Sequence, residues 1–124
     1  MSKRVLIVED EPSIVTSLEF LMHRCGYETR VVTDGTEVMD TVETFSPDLV
    51  LLDVMLPGRS GFDICRNIRS AHGHTRVLML TAKGGRADVA TGMAAGADDY
   101  VTKPFSTHEL IDRVRALLEP ASAP

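Results

Sequence analysis

Glu9-Asp10-Glu11, Asp53, the hydroxyl of Thr81 and the ammonium of Lys103 are the side chains of this sequence best suited to chemistry. Each stands at the end of a short apolar run. Val5–Val8 leads into Glu9, Leu49–Leu52 into Asp53, Val77–Leu80 into Thr81, and Tyr100-Val101-Thr102 into Lys103-Pro104. Carboxylates gathered in one crevice repel each other by roughly 4 kcal/mol per pair at about 4 Å and an effective dielectric near 20. A divalent cation removes that repulsion, and acidic oxygen ligands with room for water suit Mg2+, with Mn2+ as a substitute. Asp10 and Asp53 are expected as direct ligands and Glu9 as a ligand directly or through water. Met55, just past the turn after Asp53, is expected to add its backbone carbonyl. Lys103 is expected to pair with Asp53 and with a phosphoryl oxygen, and Thr81 to touch the same group. The Lys103-Pro104 bond admits the cis form, which costs an X-Pro pair only about 0.5–1 kcal/mol.

The elements that position these groups follow from periodicity. Continuous apolar runs of four suit strands buried on both faces, as in a parallel sheet covered by helices. Between them lie helical patterns. Ile14, Leu18, Leu21 and Cys25 mark one helix face, opened by Pro12 and closed by Gly26. Thr29–Val32 reads as a short strand. Asp34 to Glu37 and Ser106 to Glu109 read as capping boxes, and Ser60 opens a helix carrying Phe62, Cys65 and Ile68. The weakest helix is Arg86–Ala95, with Val89 and Met93 as its large apolar residues and Gly92 inside. The order is (βα)5, expected as a single doubly wound, flavodoxin-like α/β domain with a parallel sheet of order 2-1-3-4-5. Its switch point falls between strands 1 and 3, the strands that end in Glu9-Asp10 and Asp53.

Composition narrows the classes. At 124 residues the chain is most simply one domain, with 1–119 as the domain and 120–124 as a tail or linker stump. A net charge of −5 argues against direct nucleic-acid binding, which wants clustered Lys and Arg. No apolar run is long enough to span a bilayer, so no membrane partner is expected and the cytoplasm is the expected location. Cys25 and Cys65 are expected as buried free thiols.

Four motifs carry a resemblance: Val8-Glu9-Asp10-Glu11; Asp53-Val-Met-Leu-Pro-Gly; Leu80-Thr81-Ala82-Lys83; and Gly96 through Phe105 with Asp98, Asp99, Tyr100 and Lys103. Over residues 3–118 the chain resembles the receiver domain of bacterial two-component response regulators, most of all those fused to winged-helix DNA-binding domains. The resemblance implies that Asp53 accepts a phosphoryl group from a histidine kinase or a histidine phosphotransfer protein, in a Mg2+-dependent reaction that the receiver itself catalyses. It implies a phosphoacceptor rather than an enzyme with a separate substrate. Thr81 and Lys103 would take phosphoryl oxygens, and Thr81 with Tyr100 would form a switch altering the helix 4–strand 5–helix 5 surface. That surface would control a downstream partner or effector domain.

The resemblance also implies dimerisation through that surface, with Asp98, Asp99, Glu109 and Arg113 matching it. Val89 and Ala94 stand where those relatives carry a basic and an acidic residue, so a homodimer stays open. Met55 and Lys83, bordering the path of a hydrolytic water, lack an amide or carboxylate to orient it, which predicts a long-lived phosphoryl group. Arg59 is expected as a solvated loop residue, with a contact to the phosphoryl group or a kinase as the alternative. Two rivals share the topology. An aspartyl phosphatase of the haloacid dehalogenase type needs a second Asp where Met55 stands. A flavodoxin needs phosphate-cradling amides where Glu9-Asp10-Glu11 would repel phosphate.

Overall fold

The computed structural model describes residues 2–119; the expected tail at 120–124 lies outside the described residues. Five strands alternate with five helices: β1 (Arg4–Val8), α1 (Pro12–Arg24), β2 (Glu28–Val32), α2 (Val38–Phe45), β3 (Leu49–Leu52), α3 (Gly61–Ala71), β4 (Arg76–Thr81), α4 (Arg86–Ala95), β5 (Asp99–Thr102) and α5 (Thr107–Leu118). The strands form one parallel sheet in the order β2-β1-β3-β4-β5, as the sequence predicts.

The apolar runs are continuous because alternate residues feed two cores. Leu6, Val8, Val50, Leu52, Val77 and Met79 pack with Val42, Ile64 and Ile68 from α2 and α3. Val5, Ile7, Leu49, Leu51, Leu78 and Leu80 pack on the other face with Leu18 of α1 and Val114 of α5. β2 is one of the two edge strands, only partly buried, and begins at Glu28, one residue before the expected Thr29. Its mixed polarity is that of a strand with one paired side.

The helix starts differ in detail. Ser106 accepts the Glu109 N–H at 3.0 Å, the N-cap half of a capping box, while the Glu109 carboxylate faces Arg113. Asp34 instead accepts the Thr36 N–H at 2.8 Å, and a 3-10 turn over Gly35–Glu37 precedes α2. Ser60 likewise accepts from Phe62, at 3.2 Å. Cys65 is buried in α3, and burial pushes its thiol up to about 11; Cys25 is half-buried at the end of α1. The Lys103–Pro104 peptide bond is cis. Among the described residues, no helix is long and apolar enough to cross a membrane.

Candidate functional site

The carboxyl ends of β1, β3, β4 and β5 meet at one edge of the sheet. Parallel pairing puts Val8 beside Leu52, and Thr81 beside Thr102, so the residues that follow each strand are neighbours. Glu9 is buried, at 2 % exposure, and Asp53 is 6 % exposed. Asp10 points out into solvent. Carboxylate oxygens of Glu9, Asp10 and Asp53 lie within 4.8 Å of one another, a group able to hold a metal ion.

One ammonium serves this cluster. Lys103 Nζ donates to Glu9 Oε1 at 2.5 Å and to Asp53 Oδ2 at 3.1 Å. The other oxygens are tied to backbone. Glu9 Oε2 accepts the N–H groups of Asp10 and Glu11 at 3.1 and 3.2 Å, and Asp53 Oδ1 accepts that of Met55 at 3.0 Å. Burial raises the Glu9 carboxyl above its ordinary value, helped by the charge of Asp53 and opposed by the Lys103 and Glu11 hydrogen bonds. Burial also works against the charge on Lys103, but the bonds and charges of Glu9 and Asp53 outweigh it and hold the ammonium above its ordinary range.

Thr81 is fully buried at the end of β4, and its hydroxyl accepts the Lys83 N–H at 3.3 Å. Tyr100 is turned inward and its hydroxyl donates to the Lys83 carbonyl. The two expected switch residues therefore hold the N–H and the carbonyl of Lys83, on the two peptide groups that flank its Cα, a connection the motif does not reveal. Beside the cluster opens a cleft of about 670 Å3 lined by Asp10, Met55, Phe62 and Lys83. The Met55 side chain is exposed, leaving its backbone as the part that faces Asp53.

Sequence reasoning also missed Gly61. A Cβ there would stand 2.5 Å from Val54 Cα and 2.6 Å from the Asp53 carbonyl oxygen, so only glycine lets α3 start against the end of β3. Its position after the capping Ser60 was the available signal. Arg59 turns to α3, where its guanidinium faces the Asn67 side-chain amide. His72 sits 3.3 Å from Glu43. Among the described residues, Glu9, Asp10 and Asp53 are the one such group of three or more possible metal ligands.

The expected partner surface divides in two. Arg113 joins Asp99 at 2.8 Å and Glu109 at 3.5 Å. Asp98 does not share that group. It accepts from Arg69 at 2.8 Å, Arg76 at 3.3 Å and the Val77 N–H at 2.8 Å. Successive side chains entering a strand point to opposite faces, which separates Asp98 from Asp99.

The comparisons agree with this geometry. Residues 5–115 match the family described as the response regulator receiver domain. The chain is 47% identical over 118 residues to the DNA-binding response regulator MtrA of Mycolicibacterium smegmatis, covering 95% of this chain and 51% of that protein. Among solved structures, it is similar to the response regulator DrrB, a Thermotoga maritima OmpR/PhoB homolog, at 34% identity and a TM-score of 0.88, over 96% of this chain and 54% of that one. The BeF3-activated DrrB receiver domain alone gives 34% identity and a TM-score of 0.89, over 96% and 99%. The chain thus spans about half the length of these two full-length relatives. With the strand order, the strand-end acids and the match over nearly the whole chain in hand, the chain belongs to the receiver domain family of two-component response regulators.

Proposed function

We propose that Asp53 is a phosphoacceptor, taking a phosphoryl group from the phosphohistidine of a sensor histidine kinase or a histidine phosphotransfer protein. The observation that carries this reading is the shared ammonium: Lys103 lies between Glu9 and Asp53 while Asp10 completes the acidic group. One cation for three carboxylates leaves an excess of negative charge. Each ionised pair at this separation costs roughly 3 kcal/mol at an effective dielectric near 20.

The donor set fits Mg2+, being carboxylate oxygens beside an open cleft with room for water. When bound, the ion would supply the missing positive charge to the cluster and to the phosphoryl oxygens. Asp10 and Asp53 would hold it through carboxylates and Met55 through its carbonyl. Glu9 would act directly or through water.

In the transfer, an Asp53 oxygen forms the O–P bond as the P–N bond to the donor imidazole breaks, and the electron pair leaves on the ring nitrogen. Lys103 turns from the Asp53 oxygen to a phosphoryl oxygen. The Thr81 hydroxyl donates to another, and its bond with Lys83 changes with it. Tyr100 reads that change through the Lys83 carbonyl. Phosphorylation then biases a population of Tyr100 positions, and the α4–β5–α5 surface passes the bias to a partner protein or effector domain. Asp99, Glu109 and Arg113, already joined within the chain, are the charges that a two-fold dimer on that surface would re-pair. Asp98 is left out of that set.

Intact mass after incubation with acetyl phosphate tests the acceptor. A single phosphoryl adduct that needs Mg2+ and is lost in Asp53→Ala is expected; an adduct surviving Asp53→Ala moves the acceptor elsewhere. Since Met55 and Lys83 offer nothing to orient a water, the adduct is expected to be long-lived, and its decay in the same mass assay checks this.

A further inference from the structure

Gly92 is buried in the middle of α4, where glycine is the poorest helix former after proline. Its tertiary contacts give a reason for it. A Cβ on Gly92 would stand 2.8 Å from Tyr100 Cε2, 2.9 Å from Tyr100 Cδ2 and 2.8 Å from Met79 Sδ. Met79 and Tyr100 are register partners on β4 and β5, so their side chains rise together beneath the one helical position that lacks a side chain. The Met79 thioether is flexible and can yield. The Tyr100 ring moves only as a rigid plate, and its hydroxyl is tied to the Lys83 carbonyl. A methyl group at position 92 therefore displaces either the ring or the helix.

We propose that Gly92 is the positioning residue that sets how much of the resting population holds Tyr100 inward, its bare Cα forming the notch that receives the ring. The geometry stands alone; its consequence for signalling rests on the Thr81/Tyr100 switch proposed above. With the notch present, phosphorylation of Asp53 has only to enlarge a population that already exists. With a Cβ there, the inward ring is penalised, and more phosphoryl-site occupancy is needed to reach the same inward fraction.

The test uses the full chain labelled with 3-fluorotyrosine. The sequence has two tyrosines, so Tyr27→Phe leaves the Tyr100 signal by itself. Without any phosphate mimic, broadening of that signal by a soluble paramagnetic agent should rise severalfold in Gly92→Ala. Mg2+ with beryllofluoride should then restore shielding, at a higher beryllofluoride concentration than the unsubstituted chain needs. A folded Gly92→Ala chain with unchanged broadening would overturn the proposal.

If Gly92→Ala is too unstable for spectra, melting temperatures decide. Gly92→Ala should lower the melting temperature when Tyr100 is present and raise it in a Tyr100→Ala background, where only the helix-forming benefit of alanine remains. An equal drop in both backgrounds overturns the proposal, because the notch would then serve Met79 or the backbone. Failure of the unsubstituted chain to respond to beryllofluoride would count against the phosphoacceptor reading. The ring comparison made without it would still decide the role of Gly92.

Discussion

The two ends of the sheet both carry aspartates next to strands, and they treat them in opposite ways. At the amino-terminal end, Asp48 accepts the Arg4 N–H at 2.8 Å, and Asp98 takes the Val77 N–H and two guanidinium groups. Asp98 there has two cations for its one carboxylate. At the carboxyl-terminal end, Glu9 and Asp53 share the ammonium of Lys103, and Asp10 stands beside them without an ion pair. The amino-terminal acids close off backbone and arginine donors and so hold the fold together. The carboxyl-terminal acids remain short of positive charge, a shortage that the proposed dication would answer. A strand-end carboxylate is thus read from its cationic partners more than from its burial.

Substitutions at the two ends should therefore separate stability from ligand binding. The largest stability effect is expected for Asp98→Ala, which strands the Val77 N–H and takes the carboxylate partner from Arg69 and Arg76. A loss of about 2–3 kcal/mol in denaturant melts is expected, with Mg2+ affinity unchanged. A parallel loss of Mg2+ affinity would break the comparison. Asp10→Asn should do the reverse. Mg2+ affinity should fall by at least about tenfold in calorimetric titration. The metal-free stability of this exposed position should stay within about 1 kcal/mol of the parent chain.

The pH dependence sharpens the contrast. Burial raises the Glu9 carboxyl above its ordinary 4.5, so in that window the native chain binds a proton that the unfolded chain has released. The stabilising contribution of protonated Glu9 is full below 4.5 and lost as pH rises through the raised folded value. Metal-free melts of Glu9→Gln should lack this decline. Lys103 acts at the other end of the scale: its contribution is full below 10.5 and lost as pH rises through its raised folded value. The smallest effect belongs to Asp48→Ala, where removing one exposed bond to the Arg4 N–H should cost less than about 1 kcal/mol in the same melts.

Much of this was legible in the sequence. Val5–Val8, Leu49–Leu52 and Val77–Leu80 are apolar at every position because two helical layers cover the sheet, so the strands, their order and the acids at their ends follow together. β2 was less clear, since an edge strand buries only part of its length. Asp98 and Asp99 were read as one surface because neither residue type marks where a strand begins, and a one-residue shift of that start exchanges their faces. The tie between Thr81 and Tyr100 through the Lys83 backbone, and the fit of Gly92 over the Tyr100 ring, join residues on different elements. Spacing along the chain carries no sign of either.

The central claim is that the carboxyl-terminal end of the sheet is a cation-deficient phosphoacceptor site. Its most direct test is calorimetric titration of Mg2+ into the parent chain, Asp53→Asn and Asp98→Asn, side by side. The account predicts a single Mg2+ site in the parent chain, weakened by at least about tenfold in Asp53→Asn and unchanged in Asp98→Asn. No Mg2+ binding by the parent chain, or equal losses in both variants, would contradict it.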